Sequence, residues 1–381
     1  MKIRQRHAMS NTVSIAVIVI VLIIAAAGWA AYAGFPRTTT SVSTTTATTT
    51  VGTSGAVTST VTSTVTSTVS SSGSASNEIY GQPSSCTTPF TVAGFSTPPQ
   101  TAQWYVVTQT NIAKEYAPTA TFTDYTNGAG PTQSMTGGTA QMGYQSDGAF
   151  VPAIAKGAPI KLVADTTAIS LTWNIVVKAG SPYTTLASLQ GKTFGITGQG
   201  SPDQTSLAYA LKTLSGLNWT QGVQYQTASL GSNPSEAAAL EQGTIQGIAG
   251  SVLTYLPEVI NGTFTPIFNF TLPGPNSGLY ATTSFIQQHP ECVQAVVNAF
   301  TAAARLWNQN STLAYNILQT DDHFTGQAAQ IAYGVVKFSM SGGISITAHQ
   351  QGVNYLLQSG IISQNMSAAS YIQGGFAPLL Y

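Results

Sequence analysis

The residues with the clearest chemical potential lie between Leu186 and Leu211, which read L-A-S-L-Q-G-K-T-F-G-I-T-G-Q-G-S-P-D-Q-T-S-L-A-Y-A-L. The pattern predicts a short helix closing at Gly191, a buried strand over 192–196, a glycine-rich loop and a new helix opening at Ser201. Ser201 is a strong N-cap, Pro202 occupies the first helical position and Gln204 completes a capping box. Such a strand–loop–helix presents backbone N–H groups and the positive end of a helix dipole to whatever lies in front of it. The expected chemistry is the docking of a small ligand, especially through a carboxylate, sulfonate or nitrate group, with no charged side chain required.

The elements around this motif alternate between strand and helix. Strands are expected over 91–95, 119–125, 141–144, 160–165, 172–178, 223–228 and 245–249. Helices are expected over 101–116 (with Trp104, Val107 and Ile112 on its apolar side), 131–137, 148–156, 205–214, 234–242 and 253–260. From Pro290 onward the pattern is mainly helical. Repeated βα units predict an α/β fold with a mostly parallel sheet in each of two lobes. An internal echo supports two lobes: G-T-A-Q-M-G from Gly138 resembles G-T-I-Q-G-I from Gly243, each closing a helix on glycine before a buried strand. The Gly/Pro-rich segments 179–183 and 272–278 are candidate hinges, or else ordinary surface loops.

The chain is not uniform along its length. Residues 13–33 form a near-continuous apolar run, long enough to cross a bilayer. Lys2, Arg4, Arg6 and His7 precede it, which predicts a cytoplasmic N-terminus (1–12), a single-pass membrane anchor and an extracellular remainder. A cleaved signal peptide is the competing reading, since Ala31-Tyr32-Ala33 has small residues at the right spacing. Residues 34–80 are rich in Thr, Ser, Val, Gly and Ala, a composition that reads as a glycosylated stalk or an unmodified linker. The folded remainder is divided as lobe I over 86–180 and 279–381, with lobe II over 181–278.

Charged residues are only 6% of the chain, against about 25% in typical proteins. Beyond residue 77 there are eight basic and twelve acidic residues, a formal charge of −4, which excludes a basic nucleic-acid-binding surface. So few carboxylates leave little ionisation-linked stability to lose on acidification, as suits an acidic outer medium. Cys86 and Cys292 form one disulfide or remain two thiols. No zinc-type Cys/His spacing occurs, and neither metal nor cofactor is expected. Sequons at Asn218, Asn261, Asn269, Asn310 and Asn365 are candidate N-glycosylation sites.

Ordered pieces of the chain resemble the solute-binding proteins of ABC importers for nitrate, sulfonates, taurine and pyrimidine precursors of thiamine. Residues 103–107 (Q-W-Y-V-V) look like that family's first helix, and 153–164 (A-I-A-K-G-A-P-I-K-L-V-A) like its lysine–glycine–proline turn. Residues 186–196 match its second-lobe entry, 237–250 its alanine-rich helix and strand, and 283–291 (T-S-F-I-Q-Q-H-P-E) its return helix. The chain departs from the family where Gln141 and Gln246 replace the usual acid before each lobe's inner strand, a place where a neutral hydrogen bond can serve. The resemblance implies a type II periplasmic-binding-protein fold, two lobes with a hinge and an interlobe ligand cleft. It implies a small-molecule solute as ligand and ABC permease and ATPase subunits as partners. Carried over position by position, it places Ser96, Thr97, Gln100, Asn127, Gln145, Ser146 and Asp147 of one lobe around the ligand. From the other lobe come Gly200, Ser201, Thr205, Gly250, Ser251 and Tyr255. Asp147 has two readings: in the cleft it would favour a cationic or amine-bearing ligand, while as the cap of the following helix it is structural. Trp173 and Tyr255 are either ring-stacking partners or core. An enzyme on the same scaffold, as in thiamine-pyrimidine synthesis, would need a reactive His or Cys in the cleft, and none falls in the ligand loops. A stalked adhesion protein would need no cleft at all.

Overall fold

The computed structural model describes residues 85–95, 101–167, 172–275 and 277–380, all within one compact unit, Glu78–Tyr381. The expected anchor (13–33), its flank (1–12) and the stalk (34–80) lie outside the described residues, as do Ser96, Thr97 and Gln100. Among the described residues no helix is long and apolar enough to cross a membrane.

The protein is a mixed α/β fold built on two five-stranded sheets. The first contains β1 (Phe90–Gly94), β2 (Ala120–Asp124), β3 (Met142–Gln145), β4 (Ile160–Asp165) and β10 (Gly278–Thr282), in the order β2-β1-β3-β10-β4. The second contains β5 (Thr172–Lys178), β6 (Thr193–Ile196), β7 (Gln226–Ser229), β8 (Gly247–Ser251) and β9 (Phe264–Thr271), in the order β7-β6-β8-β5-β9. Each sheet has a parallel trio on one side, with β1 between β2 and β3, and β6 between β7 and β8. In each, one strand from the far end of the topology runs antiparallel inside the sheet: β10 between β3 and β4, and β5 between β8 and β9. Strands covered on both faces read as continuous apolar runs rather than alternating ones. Trp173 to Val177 is accordingly buried throughout.

Strand β5 corrects the expected lobe boundary. It pairs only in the second sheet, so the chain first crosses between Asp165 and Thr172, not at 179–183. Gly180, with φ of 73°, sits instead in a tight turn at the end of β5, a conformation that favours glycine. The return crossing falls between Thr271 and Gly278.

The internal echo has a structural counterpart. Gln141 accepts a hydrogen bond at Oε1 from the backbone N–H of Thr91 (2.9 Å), and Gln246 accepts from that of Thr193 (3.2 Å). Each glutamine stitches the entry of one inner strand to the start of its parallel neighbour, with no charge.

The expected helix over 101–116 is broken into α1 (Gln103–Gln109) and α2 (Ile112–Tyr116). The Thr108 and Thr110 hydroxyls donate to the carbonyls of Trp104 (2.9 Å) and Val106 (2.7 Å), and Thr110 is extended. Such back-bonding competes with the helical ladder and bends or ends it. Trp104 lies flat over Gly94 of β1, where any Cβ would fall 2.3 Å from its ring. The helices that follow are α3 (Gly130–Thr136), α4 (Asp147–Ala155), α5 (Pro202–Tyr209), α6 (Asn233–Gln242), α7 (Leu256–Ile260) and α8 (Thr283–Gln288). The C-terminal helices are α9 (Pro290–Gln309), α10 (Ser311–Thr320), α11 (Gly326–Val335) and α12 (Ile346–Gln358). Helix α9 buries one face, including Val293, Val297, Phe300 and Trp307, against α1, α2 and the first sheet.

Cys86 and Cys292 form a disulfide that ties the approach to β1 to the start of α9. Closing a loop 206 residues apart restricts the unfolded chain by on the order of 4–5 kcal/mol in the chain-entropy model. The asparagines of the five sequons are all exposed.

Candidate functional site

Ligands of open α/β sheets bind beyond the carboxyl ends of the strands. Both sheets direct those ends to one cavity of about 40 Å³. The first sheet supplies Phe95 after β1, and Gln145 and Ser146 at the end of β3, with Thr101 nearby. The second supplies Thr197 after β6, Pro202 and Asp203 of α5, Asn233 of α6, Ala249 and Gly250 of β8, Thr254, and Trp173 of β5. Trp173 starts an antiparallel strand opposite Ser251, the end of β8, and so reaches the same edge. Elsewhere the two halves touch directly. A Cβ on Gly148 of α4 would lie 2.7 Å from Thr205 Oγ1 of α5.

The helix tip at Ser201 is built differently from the open anion site the sequence predicts. Ser201 Oγ accepts from the N–H of Gln204 (3.4 Å), as an N-cap should. Two neighbouring amides are also taken: Gly200 N–H donates to Gln204 Oε1 (2.7 Å), and Thr197 N–H donates to Asp203 Oδ2 (2.5 Å). The Thr197 hydroxyl donates to Asp203 Oδ1 (3.0 Å). The chain places its own carboxylate where an anionic ligand was expected. The signal was in the sequence, since an acid in the first helical turn complements the dipole. Asp203 follows Ser201 by two residues.

Behind Asp203 lies a second acid. Glu236, fully buried on α6, accepts at Oε2 from the hydroxyl of Tyr255 (2.6 Å) and from Nδ2 of Asn233 (2.9 Å). Burial pushes the carboxyl of Asp203 above the usual range. Burial, and then the charge of Asp203, push Glu236 well above it. Trp173 is 7% exposed, and its buried indole N–H has no acceptor in the protein. Asn233 Oδ1 and Ser146 Oγ, from the two sides of the cavity, also lack partners.

Of the residues expected at the ligand, the structure brings Gln145, Ser146 and Gly250 to the cavity wall. Ser201, Thr205, Ser251 and Tyr255 are buried beside it rather than lining it, and Gly200 is exposed. Asn127 turns its Oδ1 to the N–H of Ala129 (2.7 Å), next to Gly198 of the other half. Trp173, one of the two aromatic candidates, is on the wall, while Phe95, Thr197, Asp203, Asn233 and Thr254 are wall residues the sequence does not mark. No His or Cys lines the cavity among the described residues.

Asp147 does not face the cavity. It opens α4, and its Oδ2 accepts from the ring of His349 at Nδ1 (2.7 Å) and from Tyr371 (3.0 Å), while Tyr280 donates to its other oxygen. His349 Nε2 lies 2.7 Å from Asp165 Oδ1. An acidic side chain faces each nitrogen, an arrangement that favours the imidazolium, which can donate from both. Burial disfavours that charge, but the two carboxylates outweigh it and hold the ring well above the ordinary histidine range. This network fastens α12 to the ends of β3 and β4. Near the molecular surface, His289 and Glu291 approach Cys292, but the sulfur is spent in the disulfide.

Residues 120–312, just over half of the chain, match the family model described as NMT1/THI5 like. The protein belongs to the NMT1/THI5-like family. No curated protein matches the chain. Among solved structures, a Candida albicans protein, the CA3427 gene product with the generic periplasmic binding protein fold, is 14% identical. That match covers 77% of this chain and 98% of that one, with a TM-score of 0.65. The alkanesulfonate-binding protein SsuA from Xanthomonas axonopodis pv. citri, bound to MOPS, is 15% identical over 75% of this chain and 98% of that one, with a TM-score of 0.61. The periplasmic nitrate-binding protein NrtA from Synechocystis PCC 6803 is 12% identical over 67% and 70%, with a TM-score of 0.51. At these identities the likeness is one of fold: this member of the family has the periplasmic-binding-protein architecture.

Proposed function

We propose that the protein is the extracellular solute-binding component of an ABC import system. It captures a small polar solute between two lobes and delivers it to a permease driven by separate ATPase subunits. One observation carries the reading: the parallel strands of both sheets end on a single shared cavity. Family membership and the fold of SsuA and NrtA support it. The lobes are taken as the two sheets with their helices, and the two chain crossings as the hinge about which they close. The apolar run at 13–33 serves as a membrane anchor with the N-terminus inside, the segment 34–80 as a spacer, and the exposed sequon asparagines as glycan sites. Among the described residues the cavity wall carries no thiol or imidazole.

The experiment is thermal denaturation of the soluble domain against a panel of nitrate, sulfonates, taurine, amino acids, amines and aminopyrimidines. A binder at a hundred times its Kd stabilises by about 2.7 kcal/mol. A rise of several degrees with at least one class is expected. No shift with any of them at saturating concentration would count against solute capture.

A further inference from the structure

The acid pair beside the cavity sets the class of solute. Asp203 lines the cavity from α5, and Glu236 stands behind it on α6. Asp203 faces the N–H and hydroxyl of Thr197 and the hydroxyl of Ser201, while Glu236 faces Tyr255, Asn233 and Asp203 itself. No basic side chain is among the principal groups acting on either acid. The opposite wall, formed by Phe95, Thr101, Gln145 and Ser146, is uncharged. Among the described residues the cavity has one carboxyl on its wall, a second behind it and no counter-cation.

A second, independent feature points to a ligand. Trp173 is nine-tenths buried in the same wall, and its indole N–H has no acceptor. A buried donor without a partner is costly, and it is expected to find one. Asn233 Oδ1 and Ser146 Oγ leave further unpaired valence around the same space.

We infer that the cavity selects a small solute carrying a protonated amine, with Asp203 and Glu236 as its charge partner and an acceptor atom on the solute receiving the Trp173 N–H. The inference rests on the solute-binding reading above and narrows it. An ammonium brings donors to Asp203 and offsets the repulsion between it and Glu236. An anion entering the same space meets Asp203, which already takes the N–H and hydroxyl of Thr197. A cavity of about 40 Å³ matches a compact headgroup rather than a large ring. Because burial favours the protonated forms of both acids, acidification removes the charge that holds the amine, and affinity falls with it. The ionisable groups that face the pair are the two acids and Tyr255.

The test uses matched solutes with and without the amine: taurine against ethanesulfonate, β-alanine against propionate, and ethanolamine against ethylene glycol. Binding to the soluble domain is read by calorimetry and by melting temperature. The amine member of at least one pair is expected to bind more than tenfold tighter than its partner. Asp203→Asn and Glu236→Gln are each expected to weaken it by roughly ten- to a hundredfold, the worth of a charge-assisted hydrogen bond. Trp173→Phe keeps an aromatic ring, removes the N–H together with the five-membered ring that carries it, and weakens binding should Asp203→Asn fail to fold. Preference for the amine-free members, or affinity unchanged in Glu236→Gln and Trp173→Phe, overturns the amine assignment and leaves solute capture standing. Absence of binding by every member, together with a flat response to the wider panel, overturns both.

Discussion

Two buried acid pairs stand on opposite halves of the cleft, and they are built for opposite purposes. Asp147 and Asp165, on the first sheet's side, share His349, which donates to both at 2.7 Å. Asp203 and Glu236, on the second, share no cation, and their donors are hydroxyls, an amide and a backbone N–H. The first pair is closed: charge is balanced inside the protein, and the network clamps α12 to the sheet. The second reaches the cavity wall through Asp203, with no basic side chain among the groups that act on it. The difference teaches how a chain with 6% charged residues uses those it keeps. Charge is spent on one permanent clamp and one exchangeable site.

The largest expected effect breaks the closed pair. His349→Ala leaves two buried carboxylates without their cation, and removing one member of a buried ion network costs about 3–5 kcal/mol. The melting temperature should fall on the order of 10 °C, measured by calorimetry. The same operation on the open pair should cost far less. Glu236 has no counter-cation to lose, and Glu236→Gln keeps its shape and an oxygen to accept from Tyr255 and Asn233, so stability at pH 7 should change by less than about 1 kcal/mol. A comparable loss from both substitutions would erase the distinction between clamp and site.

The pH dependence sharpens the same contrast. His349 has a raised folded pKa, so its contribution is complete below the unfolded value of about 6.5 and is lost as pH rises through the folded value. Asp203 and Glu236 are raised acids, so the folded protein holds protons that the unfolded chain releases. Their term makes the protein more stable as pH falls from the folded values toward the unfolded values near 4. Both act in one direction, and melting temperature should rise or hold from pH 8 to pH 5. In Glu236→Gln the acid-side rise should flatten, while in His349→Ala the alkaline-side decline should.

Much of the frame was legible in the sequence because its signals are local. The runs I-K-L-V-A-D and T-W-N-I-V-V-K give strands at the expected limits, since both are short and largely apolar, the first starting after Pro159 and the second running into Gly180. The cap at Ser201 and the paired glutamines at 141 and 246 are likewise short-range features. What sequence reading missed depends on partners distant in the chain. The assignment of β5 to the second sheet is fixed by its pairing with β8 and β9 and has no local mark. The weak strand β7 is largely half-exposed, while Val223 just before it is 70% exposed, so its apolar residues misplace its start. His349 meets acids 202 and 184 residues away, beyond any spacing rule. The helix tip differs for another reason: Asp203 is visible in the sequence, and its carboxyl takes the Thr197 N–H and hydroxyl beside the tip that Ser201 opens.

The most direct measurement is the affinity of the tightest-binding amine solute of the matched pairs, followed by calorimetry from pH 7.5 down to pH 4 in wild type and in Glu236→Gln. An open acid pair that holds the solute predicts affinity falling by tenfold or more in wild type as Asp203 and Glu236 take up protons, with a weaker starting affinity and a shallower fall in the variant. Affinity that stays level or strengthens on acidification would contradict it.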